Sequence, residues 1–157
     1  MIMKLINKFN VSSQYDLSRI TKSLESIGIT YVSYVCIGPD GKRFHYHTNE
    51  EWSGIFLGND LLKDCVLNKF CEKSVRPALL SWENAHVGTR AEREVMWARH
   101  DMQIYNGITI TDFFSDYQDI IALGTNHEKH NVFEMYMRSR QIIRESLLDC
   151  RAAALKD

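Results

Sequence analysis

Several absences bound what this chain is. No run of about 18 apolar residues occurs, so no segment reads as a membrane-spanning helix. The opening MIMKLINKFN is too polar and too short for the apolar core of a secretory signal, which makes the cytoplasm the expected compartment. Neither sign of charge is in excess: 19 Lys and Arg face 20 Asp and Glu, for a net charge of -1. That balance excludes a global basic field for nucleic acid or an anionic membrane. Proline is scarce, at 2 residues, and no linker, internal repeat or low-complexity segment interrupts the 157 residues, so residues 1–157 read as a single domain. Cysteine is present only as Cys36, Cys65, Cys71 and Cys150, with no C-x-x-C pair, which argues against a zinc ribbon. Reduced, buried thiols are the expectation. Also missing are G-x-S-x-G, a P-loop and G-x-G-x-x-G, so no enzyme activity and no cofactor are expected.

What is present is an ordinary globular composition, 45% hydrophobic and 25% charged. Leu17, Ile20, Leu24 and Ile27 fall on one helical face, with Ser12 or Ser13 available as a cap and Gly28 as a stop. The pattern then switches to period two. Tyr31–Ile37 and Arg43–Thr48 flank the turn GPDG and predict a hairpin. Helical turns are predicted from about Glu50 to Phe70, broken near Gly58, and RPALLSW reads as a short strand. Thr89 stands three before Glu92, a capping-box spacing that opens a helix running towards Asn106-Gly107. Gly107–Phe113 and Tyr117–Gly124 predict a second hairpin. A last helix is expected from near His130, carrying Phe133, Tyr136, Met137, Ile143, Leu147 and Leu148 inward. The order α, ββ, short α, β, α, ββ, α predicts an antiparallel sheet of about five strands with helices on both faces.

Two histidine pairs raise metal chemistry. His45 and His47 alternate on one strand and share a face, and His127 and His130 lie one helical turn apart. No third ligand of matching spacing accompanies either pair, so hydrogen-bonded or exposed imidazoles are the simpler expectation and no metal is predicted.

The remaining constellation lies in HTNEEWSGIFLGNDLLKDC and its downstream partners. Trp52, Phe56, Asp64, Trp82 (in LLSW) and Gly107 (in NGITI) combine large apolar walls with a polar anchor, as a ligand pocket requires. Their order resembles the autoinducer-binding domain of LuxR-type quorum-sensing regulators over roughly Tyr31 to Leu148. The NGITI form looks most like divergent LuxR-like proteins of bacteria that live inside host cells. The resemblance implies an α+β fold, an α/β/α sandwich with a five-stranded antiparallel sheet of the PAS/GAF-like type. It implies an acyl-homoserine-lactone-like signal held between sheet and helices. Trp52 would meet the lactone carbonyl, Asp64 would accept the amide N–H, and Phe56 and Trp82 would be pocket walls. Gly107 would stand where bulk intrudes. Thr48 occupies the place of a tyrosine that touches the acyl carbonyl, Cys65 that of a proline, and Phe56 lacks the usual tyrosine hydroxyl.

The competing reading makes Trp52, Phe56 and Trp82 plain core and Asp64 a helix cap or salt-bridged residue. Asp64 in solvent, or protein side chains filling the space between Trp52 and Trp82, would end the sensing reading. The resemblance further implies a homodimer, with Ile20, Leu24, Met137 and Leu148 as candidate contacts. The chain stops at RAAALKD with no helix-turn-helix, so no DNA binding by this chain alone is expected. A ligand sensor and a non-sensing protein-interaction module on the same fold both remain open.

Overall fold

A computed structural model describes residues 6–129 and 131–156. Its frame is set by two hairpins. Strand β2 (Tyr31–Ile37) returns as β3 (Arg43–His47), and β5 (Asn106–Phe114) returns as β6 (Tyr117–Thr125). Pairing of β2 with β6, in the register Tyr34↔Ile121, joins them into one sheet. Short β4 (Ala78–Ser81) adds antiparallel to β5 at one edge. These are the five antiparallel strands the pattern predicted. A sixth, β1 (Ile6–Lys8), runs parallel to β3 at the other edge, giving the order β1-β3-β2-β6-β5-β4. Three residues of mixed polarity carry too little periodicity to read as a strand beforehand.

Alternation along the strands divides two cores. Val32, Tyr34 and Cys36 of β2, with Ile108, Ile121 and Leu123, pack under helices α1 (Val11–Ser23) and α6 (Arg140–Ala154). Tyr31 and Ala122 face the other way, into a cluster with Trp52, Phe56, Leu62, Leu67, Trp82 and Val95. That second cover is built from α2 (Glu50–Gly58), a 3-10 turn Leu61–Asp64, α3 (Val66–Lys73) and α4 (Arg90–Asp101). The result is the expected α/β/α sandwich.

Local signals account for most boundaries. Gly28 takes φ 94 where the first helical segment ends. Thr89 and Glu92 form the capping box at α4. Two expectations are corrected. The cap of α1 is Asn10, whose Oδ1 accepts from Ser13 N at 2.8 Å, while Ser13 Oγ donates to Ala153 O at 2.9 Å and ties α1 to α6. Ser12 and Ser13 lie already inside the helix. The last helical segment is two helices, α5 (Val132–Arg138) and α6, separated at Ser139. His130, its expected start, lies outside the described residues. Val132, Met135, Ile143, Leu147 and Cys150 form the inward stripe, so Phe133, Met137 and Leu148 turn outward. All four cysteines are buried and unpaired.

Candidate functional site

The helical cover and the sheet enclose a cavity on the α2–α4 side. Asn49 fixes the start of α2 by accepting from Trp52 N at 2.9 Å. Trp52 and Phe56, one turn apart, thereby both point at the sheet, with ring centroids 5.5 Å apart. Trp82 closes a third side, its indole N–H donating to Thr109 Oγ1 at 2.8 Å. Both tryptophans and Phe56 line the cavity, together with Tyr31, Leu62, Leu67 and Ala122. It offers about 50 Å³ to the centres of water-sized molecules, room for a few waters or one compact organic group.

The polar lining is basic. Arg43, His45 and His47 alternate along β3 and all face the cavity, as the period-two spacing of the two histidines predicted. The two imidazoles stack at 5.8 Å. Arg99, 5% exposed near the end of α4, reaches in between the aromatic walls. Its guanidinium carbon stands 5.1 Å from the Trp52 ring, 5.4 Å from Trp82 and 5.9 Å from Phe56. No aspartate or glutamate lines the space. Burial, then the charges of Arg43 and His47, holds the His45 pKa down to about 3. Burial and the Arg99 charge hold that of His47 to about 4. Both rings are therefore neutral at pH 7.

Hydrogen bonding is incomplete in one place. Among the described residues, three buried side-chain nitrogens have no partner: His45 Nδ1, His47 Nε2 and Arg99 Nε. All three residues line this cavity. Arg43, by contrast, is satisfied, donating from Nη2 to Asn68 Oδ1 at 2.8 Å with Glu72 Oε1 3.8 Å from Nη1. Buried polar groups are ordinarily paired, so three orphans lining one space leave it able to receive a polar occupant.

The predicted site residues divide into two groups. Trp52, Phe56 and Trp82 come together. Asp64, Thr48 and Gly107 do not line the cavity. Asp64 ends the 3-10 turn half-buried, where its carboxylate helps keep Lys69 protonated behind the larger effect of Glu92. Thr48 is exposed at the hairpin end, its Oγ1 accepting from Val32 N at 2.9 Å. A Cβ at Gly107 would stand 2.5 Å from Leu123 O and 2.7 Å from the Trp82 ring, so bulk there would intrude on a cavity wall rather than on an occupant. Trp52 and Asp64 do not converge on this cavity, and Arg99 reaches in between Trp52 and Trp82. Arg43 and Arg99 line the cavity although the sequence pattern does not single them out. The alternation R-x-H-x-H carried a signal for the strand trio. Val95 and Arg99, four apart on one helix face, carried one for the buried arginine.

Among the described residues no three His, Cys, Asp or Glu side chains gather as a metal would need, and no helix is long and apolar enough to cross a membrane.

No family model matches the chain, and no curated protein matches its sequence. Its structure is similar to solved ones. The N-acylhomoserine lactone dependent LuxR-family transcription factor CepR2 of Burkholderia cenocepacia superposes with a TM-score of 0.69 at 12% identity, covering 94% of this chain and 87% of that one. SdiA in complex with octanoyl-rac-glycerol gives 0.66 at 16% identity, over 94% of this chain and 62% of that one. The VqsR LBD domain of Pseudomonas aeruginosa gives 0.61 at 7% identity, over 92% and 99%. The chain thus spans less than two thirds of SdiA and nearly all of the VqsR domain. At these identities what is shared is the fold, and the fold is that of LuxR-type autoinducer-binding domains.

Proposed function

We propose that this chain is a small-molecule-sensing and dimerising domain of a cytoplasmic LuxR-type transcription regulator, and not an enzyme. One observation carries the reading: the three partnerless buried nitrogens among the described residues all belong to residues lining a single aromatic-walled cavity. The position of that cavity between sheet and helices supports it, as does the likeness to CepR2 and to SdiA in complex with octanoyl-rac-glycerol. Trp52, Phe56 and Trp82 are the proposed walls. Self-association is proposed through outward residues of the last two helices, Met137 and Leu148, which are 47% and 42% exposed. Leu24 is fully buried and belongs to the core instead.

A second reading has its own observation. Arg99 reaches in between Trp52 and Trp82 and takes part of the space there, which suits a protein-interaction module that binds no signal. Native mass spectrometry of the purified protein separates the two, since it reports a retained small molecule and the number of copies together. Sensing predicts a dimer that carries or takes up an organic ligand near one per chain. A protein that takes up none from cell extract or from added amphiphiles fits the interaction module.

A further inference from the structure

The cavity's polar groups specify a kind of occupant more narrowly than its walls do. Arg43 Nε donates to His45 Nε2 at 3.3 Å, so the ring's proton sits on the partnerless Nδ1. The Tyr31 hydroxyl lies 3.4 Å from His47 Nδ1. With that hydroxyl donating to Nδ1, the imidazole proton sits on the partnerless Nε2. Arg99 Nε is a donor in any state. All three unpaired groups are therefore N–H donors, and the cavity has a surplus of donors over acceptors.

Charge points the same way. Arg99 has no carboxylate within ion-pair distance among the described residues, and its hydrogen bonds run from Nη1 to Met96 Sδ at 3.2 Å and from Nη2 to Cys65 Sγ at 3.6 Å. Sulfur is a weak acceptor, and the three aromatic faces stabilise a cation without accepting from Nε. A guanidinium is a planar fork that matches a carboxylate edge-on. The aromatic walls suit a flat or short apolar body.

We propose that the cavity takes a compact organic carboxylate with an aromatic or short apolar body, its oxygens received by Arg99 and the two imidazole N–H groups of His45 and His47. The proposal rests on the sensing reading and narrows its ligand class. A neutral lactone or glyceride brings carbonyl acceptors but no charge for Arg99.

The test is isothermal titration of the full chain with matched probes: benzoate against benzamide, hexanoate against hexanamide, and octanoyl homoserine lactone and octanoylglycerol as neutral amphiphiles. The expected result is that each carboxylate binds at least tenfold tighter than its amide, and that Arg99→Met abolishes the difference. Should Arg99→Met fail to fold, the carboxylate–amide comparison on the unaltered protein decides alone, with His45→Gln as the second variant, expected to weaken carboxylate binding. Equal or tighter binding of the amides or neutral amphiphiles would overturn the anion assignment and leave the sensing reading standing. Binding of none of the probes, with none retained in native mass spectrometry, would overturn both.

Discussion

His45 and His47 were legible as a pair sharing one strand face, but their state was not. Spacing fixes direction, whereas the loss of charge follows from what is packed around the rings. Arg43 and His47 crowd His45, Arg99 opposes a charge on His47, and burial dominates for both. The consequence for stability has a definite sign. The folded pKa values, about 3 and about 4, lie below the unfolded value near 6.5. The unfolded chain therefore binds more protons than the folded one between those limits, and stability falls as pH drops through that window. From pH 7 to pH 5 each histidine should cost about 1–2 kcal/mol. Glu92, held to about 2 chiefly by Lys69, stays ionised over that range. Urea unfolding at the two pH values should show the loss, and His45→Gln should remove a share of it. A curve that is flat between pH 7 and 5 would mean that the rings reach solvent.

The hairpins, the capping box of α4 and the stop at Gly28 were readable because each depends on residues close in sequence. Elements whose form depends on distant partners were not. The inward face of α6 is decided by where β2 and α1 lie, and Ser13 looked like a cap because its partner, Ala153 O, is far along the chain. The same holds for the polar network that docks α6. Asp119 on β6 is fully buried, accepting from Tyr34 OH and from Arg151 Nε, each at 2.7 Å. Arg151 also donates to Asp112 Oδ2 at 3.0 Å and lies 4.1 Å over the Phe114 ring. Burial pushes the Asp119 carboxyl up, and Tyr34 and Arg151 pull it back towards the ionised form. Removing the arginine leaves a buried carboxylate with one hydroxyl donor. Arg151→Met should cost about 3–5 kcal/mol in chemical denaturation. Combining it with Asp119→Asn should recover part of that loss, because the stranded charge is gone. A double variant no more stable than Arg151→Met would show that the packing of Arg151, not its charge, holds α6 in place.

The molecule as a whole has the fold of the solved structures it resembles, while its cavity is lined in part by residues that the sequence pattern does not mention. The aromatic walls Trp52, Phe56 and Trp82 were legible because their order along the chain follows a recognisable pattern, and the fold brings them together. Asp64 and Thr48 kept their places in that order but not their places in space. A 3-10 turn and a hairpin end hold them away from the cavity. The basic lining comes from residues the pattern does not mention. The tryptophans themselves offer the most direct check on where a ligand sits. The chain has three: Trp52 and Trp82 are buried at the cavity, and Trp97, 59% exposed on α4, lies away from it. Each gives one indole N–H signal in a proton–nitrogen correlation spectrum, assignable with Trp→Phe variants. Titration with a bound carboxylate such as benzoate should shift the Trp52 and Trp82 signals and leave Trp97 in place. Movement of Trp97 alone, or no movement of any indole signal under saturation seen by calorimetry, would place the ligand elsewhere and contradict the account.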